Sequence, residues 1–376
     1  MSLNNQLRFT DSAFLGNEGS TGGGVHFAMD NTLVVLERTL FSGNRAALYG
    51  GGLYLGQEHD TVRLTDVNVF ANKADSGAGI YIGQFNFDII VKNANISNNE
   101  AHKQGGGMFS SAYDMQMYDS IVSGNKADSS AGMILTFGDD HALTDKKLKL
   151  MGCSITDNQA SMYGGIYMAH GSNINIEKCL FRNNSAALSD SGGLAIADSI
   201  NCSITETIFE DNRASYQGGA LIMTDTSNVQ LENVIFSGNS AEVGGCVVFQ
   251  NIAGSQLHSL VFVNNTAGLQ GGALWLDNSH ASATEAVFTN NVAVTGNGAA
   301  IYSTASTLFL SFSNFTGNRA ARGAGAVYWR YHSGMTEPTG LRDDTNIFDL
   351  NTALYGDDWV RSCLVLAEEW GVIHNM

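Results

Sequence analysis

The sequence predicts an all-β chain wound into a single parallel β-helix, and three observations carry that reading. One short phrase recurs thirteen times along the 376 residues. Apolar positions inside each copy alternate with period two, as in strands with one face buried and one wet. Glycine is abundant, at 43 residues, while proline occurs once, at Pro338.

The phrase is an Asn preceded three positions earlier by Phe or a β-branched residue. It occurs at Asn17, Asn44, Asn72, Asn99, Asn125, Asn158, Asn184, Asn212, Asn239, Asn265, Asn291, Asn318 and Asn351. Successive copies lie 26–28 residues apart except for two intervals of 33. Ala stands two places after each Asn, with Gly19 replacing it in the first copy.

Each unit reads in order. A first strand carries apolar residues ten and eight places before the Asn, as in Val34 and Leu36 or Ile174 and Ile176, with polar residues between. Next comes the Phe column, then the Asn, placed at a turn where an inward amide can bond backbone groups and its own copies above and below. A Gly cluster follows and leads into a further strand, as in GGLYL and GGALWL. Phosphate-binding glycine loops occur once, between a strand and a helix. Here the cluster recurs in nearly every unit, so Gly271-Gly272 is expected to serve a corner of the fold. A unit of about 27 residues cannot bury its own apolar face, whereas stacked copies share one interior. Thirteen coils at the strand spacing of about 4.8 Å give a rod about 60 Å long.

The β-helix is expected over 1–356 and a cap over 357–376. Trp359, Cys363, Leu366, Trp370 and Ile373 recur at helical spacing behind an Asp, predicting a short C-terminal helix lying over the last coil. At the other end Leu7 and Phe9 already belong to a coil, so the first coil is expected to be covered by upstream sequence, a partner or another copy.

A net charge of −17 and the lack of a basic stripe argue against a nucleic-acid partner. No apolar run approaches the 18–20 residues of a transmembrane helix. The first residues lack the features of a secretory signal, so the chain either stays inside the cell or is a mature or excised piece. Five cysteines show no metal-binding spacing. Cys153 and Cys179 occupy equivalent places in adjacent coils, near enough for a disulfide, but that column otherwise holds small residues and reads as two buried thiols. No cofactor is expected.

The FxxN phrase, met by nine copies, together with GGA[ILV], met by Gly218–Leu221 and Gly271–Leu274, resembles the repeats of chlamydial polymorphic outer membrane proteins. The likeness spans about residues 9–356. It implies a right-handed β-helix, display outside the cell or on its surface, and adhesion.

Three surface features are candidates for function. The outward column of the strand after the Gly cluster holds Tyr54, Tyr81, Phe109, Tyr167, Trp275, Tyr302 and Tyr328 among apolar neighbours, with no acid, Lys or Arg. A continuous apolar stripe of this kind marks an interface, so the expected partner is a protein or a sister subunit, with a carbohydrate as a further option. The two long units each hold an inserted loop, with Asp139, Asp140 and His141 in one and Trp329, Tyr331 and Arg342 in the other. Loops on a rigid scaffold commonly carry contacts. Finally, Glu177, Glu206 and Glu232 fall on three consecutive coils and could gather as a cation or acid/base cluster. A solvated face is the plainer reading of them. The residues favour a non-catalytic scaffold, adhesin or assembly subunit. The alternative is a polysaccharide lyase or hydrolase of the pectin-lyase-like architecture.

Overall fold

The computed structural model describes residues 6–137, 146–332 and 345–364. Among them the chain forms strands and no helix. Each coil contributes one strand to each of four sheets. Sheet I begins with Gln6–Thr10, sheet II with Ala13–Leu15, sheet III with Glu18–Thr21 and sheet IV with Val25–Met29. The sheets contain 12, 13, 12 and 13 strands, and every strand pairs in parallel with its equivalent one coil away. Twelve turns carry all four sheets, and sheets II and IV add a thirteenth strand.

The interior follows the repeat columns. In sheet I, Val34 pairs with Val62 and Leu36 with Leu64, and all four side chains are fully buried. The Phe column of sheet II stacks face to face. Phe181, Phe209, Phe236, Phe262, Phe288, Phe315 and Phe348 succeed one another at ring separations of 4.7–5.1 Å. Where Val69, Ile96, Val122 and Ile155 replace Phe, the column stays buried but loses its rings.

The Asn column forms a continuous ladder at the bend between sheets II and III. Asn239 is typical. Its backbone N–H and its Nδ2 both donate to Oδ1 of Asn265, at 3.0 and 3.1 Å. Nδ2 also donates to the carbonyl of Phe209 at 3.0 Å. Its own Oδ1 accepts the corresponding pair from Asn212. Every polar atom of a fully buried amide is thereby used, which is what such burial demands.

Sheet III was not anticipated. After the Asn the chain makes a narrow lobe whose two arms close on themselves, and the Ala two places after the Asn fills the space between them. Ala46, Ala74, Ala78 and Ala101 pack there apart from the main core. The arms approach so closely because the return corner is glycine. Gly271 has φ +65°, and a Cβ on Gly272 would lie 2.3 Å from the carbonyl oxygen of Ala299 and 2.6 Å from that of Val292. Only Gly and Ala hold this place in the described coils, Ala299 standing there in the next one.

Two expectations need correction. Residues Trp359–Leu364 are not the start of a helix but a strand of sheet IV, paired with Val327–His332. An edge of unpaired backbone donors and acceptors favours adding a strand over docking a helix across it. The remainder of the expected cap, 365–376, lies outside the described residues. The second correction is Trp329, expected in a surface loop. It lies in the strand Val327–His332, 3 % exposed, as part of the main core.

Candidate interaction groove

The outward column of sheet IV is real. From His26 opposite Tyr54 to Tyr302 opposite Tyr328, its members pair in register on successive coils. It falls into blocks. Tyr54 and Tyr81 stack at 5.3 Å and Tyr81 and Phe109 at 4.9 Å, nearly parallel in each case. Tyr302 and Tyr328 stack at 5.3 Å.

The column is not the flat exposed stripe that alternation alone implies. Ile134, Ala195, Ile222, Val248 and Tyr302 are 0–5 % exposed. The reason is the lobe of sheet III, which rises beside sheet IV and turns its outer face into the floor of a groove. Tyr49, on the lobe, stands 4.8 Å from the ring of Tyr81, and Tyr163 stacks on Tyr167 at 4.7 Å. Ala195, Ile222 and Val248 pack beneath Tyr163, Tyr167 and Trp275. Burial pushes the Tyr81 hydroxyl up to about 12 and raises those of Tyr163 and Tyr167. These rings are therefore neutral across physiological pH.

The lobe crest carries a second feature. Four places after the Asn stand Leu48, Met162, Leu188, Tyr216 and Leu269, all strongly exposed, with Leu188 at 77 % and Tyr216 at 53 %. Groove and crest together present apolar surface from floor to rim. The column four past the Asn is mixed, holding Ser76, Lys103, Ser129, Thr295 and Arg322 elsewhere, and its apolar signal is the run Met162, Leu188 and Tyr216 on three successive coils.

The remaining candidates do not converge. Glu177 and Glu232 share a column, but the residue between them is Thr205. Glu206 sits one place further on, at a left-handed corner with φ 48°, in the column of Lys178. The Lys178 ammonium lies 2.9 Å from Glu177 and 3.8 Å from Glu206, so it offsets one of their two charges. Among the described residues no three His, Cys, Asp or Glu side chains are placed to hold a metal ion. Asp139, Asp140, His141 and Arg342 lie outside the described residues, and Tyr331 belongs to the strand Val327–His332. Cys153, Cys179, Cys202 and Cys246 are free, buried thiols. A concavity of about 510 Å³ over the first lobes is lined by Arg45, Lys73, Asp75 and Glu100 among others. Two of its charges pair there, Lys73 with Glu100 at 2.6 Å, and a third, Asp75, pairs with Lys103 at 2.9 Å.

The architecture defines a parallel β-solenoid with one grooved flank. A family model described as "Right handed beta helix region" matches residues 23–199, 137–257 and 188–336. The chain belongs to that family, and its coils are right-handed as the repeats imply. A search of the curated proteins finds no match. No helix among the described residues is long and apolar enough to cross a membrane.

Proposed function

We propose that the protein is a non-catalytic β-helical scaffold, an adhesin or assembly subunit displayed outside the cell, that docks a protein partner along the groove between sheet IV and the lobes of sheet III. The observation that carries this reading is the coincidence of a ring-lined floor with an exposed apolar crest beside it. Neither is needed to close the core, which is complete without them. Scattered surface apolar residues need no explanation, whereas a contiguous patch marks an interface. The FxxN repeats, which resemble those of surface-displayed bacterial proteins, support the setting. A carbohydrate-active enzyme requires gathered carboxylates, and the Lys178 ammonium between Glu177 and Glu206 weighs against that role for this patch.

The test uses two sets of variants. Leu188→Lys with Tyr216→Lys alters only exposed crest positions, so folding is preserved. Tyr81→Lys, Tyr167→Lys and Trp275→Lys alter the floor. Sedimentation velocity and electron microscopy of the native assembly should show the association of the wild-type chain, with itself or with its partner, lost in both sets. An assembly that survives both unchanged would sink the proposal.

A further inference from the structure

On the grooved flank a ridge and a hollow rise together, coil by coil. The lobe strands Gln159–Ala160, Ser185–Ala186 and Arg213–Ala214 pair in succession, so Met162, Leu188 and Tyr216 just beyond them step along the crest at about 4.8 Å. Leu188, at 77 %, is the most exposed of the crest residues. In the groove of the same three coils, Tyr167, Ala195 and Ile222 pair in register. Ala195 is the smallest side chain of that floor column. It lines a cavity of about 100 Å³ together with Tyr163, Tyr167, Ile222, Thr224 and Asp190 among others. The tallest knob and the hollow thus belong to one coil. A leucine side chain has four carbons, which at about 30 Å³ for each group of water size roughly fill such a space.

Symmetry decides which copy-to-copy contact uses both features. A two-fold axis running along the rod swaps left and right on the facing flanks and preserves height. It sets the ridge of each copy into the groove of the other, with equal coils meeting. A two-fold axis across the rod preserves left and right and sets ridge against ridge. Only the first arrangement brings Leu188 to the level of the Ala195 hollow, and it does so twice, as a self-complementary pair of patches requires. Charge permits it. Each chain carries −17, so association needs a surface where like charges do not meet. On these coils the crest is uncharged, at Ser161–Met162, Ala187–Leu188 and Ser215–Tyr216. The exposed Asp198 and Asp225, directly after the sheet IV strands Leu194–Ala197 and Leu221–Thr224, therefore face no acid there.

We infer that the occupant of the groove is a second copy of this chain, the two rods lying parallel about a two-fold axis along their length, with Leu188 of each seated in the Ala195 hollow of the other. The pairing rests on the docking reading of this flank and names its partner.

Sedimentation velocity of the purified full chain, from about 1 to about 200 µM, should show a reversible species of twice the chain mass. Leu188→Ala, at an exposed position, should weaken it by about a hundredfold or more, because each substitution acts twice in a two-fold pair. Ala195→Leu, which fills the hollow, should do the same, with circular dichroism and melting temperature showing that both variants are folded. Orientation is read from Ala187→p-benzoylphenylalanine, beside Leu188, in an equal mixture of isotopically light and heavy chains. Photo-cross-links between light and heavy chains should fall on the sheet IV strands Ile166–Ala169, Leu194–Ala197 and Leu221–Thr224. A chain that stays monomeric to about 200 µM, a dimer indifferent to Leu188→Ala, or cross-links joining crest to crest or reaching distant coils would overturn the inference. A monomer would still leave the crest and floor variants to report on docking of a different protein in the native assembly, so the two readings fail separately.

Discussion

Replacing Asn239 with Ala probes the ladder where it is fully enclosed. Three groups lose their partner: the backbone N–H of Asn212, one hydrogen of its Nδ2, and the carbonyl of Phe209, all now bonded at 3.0–3.1 Å. Oδ1 of Asn265 keeps the backbone N–H of residue 239. An orphaned buried polar group costs about 1–3 kcal/mol. Partial relaxation and water entry bring the total to about 3–5 kcal/mol. Asn17→Ala removes the same side chain from the same phrase at an exposed coil. There Nδ2 donates only to Asn44, whose Oδ1 retains the Asn17 backbone N–H, so the cost should stay under about 1 kcal/mol. Urea unfolding followed by circular dichroism compares the two. Because solenoids can unfold coil by coil, hydrogen exchange of the peptides spanning Asn212 and Asn265 locates the loss. Equal effects at both sites, or a cost below about 1 kcal/mol at Asn239, would refute the view that the amides stabilise by satisfying one another.

Two further substitutions separate other terms. Gly43 has φ +65° and open space around a Cβ, so Gly43→Ala should cost only the left-handed penalty of about 1–2 kcal/mol. Gly272→Ala brings a Cβ against two backbone carbonyls, a contact the chain accommodates one coil on, where Ala299 holds the equivalent place, so it should cost about 1–3 kcal/mol, read as the fall in melting temperature. His59 is fully buried, accepts through Nδ1 from Asn31 at 3.2–3.3 Å, and has its pKa lowered by desolvation. The unfolded chain then binds the proton more readily, so stability is full above the ordinary value of about 6.5 and falls as pH drops below it toward the folded pKa. His59→Asn should flatten the melting temperature against pH in that window; an unchanged slope refutes the assignment.

The stacked architecture was legible because its cause is periodic. Asn, Phe and the alternating apolar residues keep fixed offsets, and burial in a shared core permits little else at those places. Sheet III was illegible because its strands are as short as Ser185–Ala186 and carry no alternation. What shapes that lobe is the closeness of two backbone arms, which appears in the sequence only as Ala and Gly. Missing the lobe led to one further error. Without it the sheet IV column reads as open surface, when Val248 is 0 % exposed. Trp329 was assigned to a loop because it adjoins an inserted segment, yet it is the inward neighbour of Tyr328 on the same strand. The spacing over 359–373 suits a helix, but Trp359–Leu364 can satisfy its backbone by extending sheet IV, which local spacing cannot reveal.

The amide ladder also gives the rod an electrical direction. Each side chain hands its hydrogens to the oxygen of the next coil, so the dipoles add as they do in a helix instead of cancelling as in most sheets. One extremity offers an acceptor, the oxygen of Asn17. At the opposite one, Asn351 points Nδ2 at the carboxylate of Asp358, 3.3 Å away, and an anion is the natural stopper for a row of aligned donors. Chains added end to end would continue this alignment only if all face the same way; a reversed copy would set oxygen against oxygen or hydrogen against hydrogen.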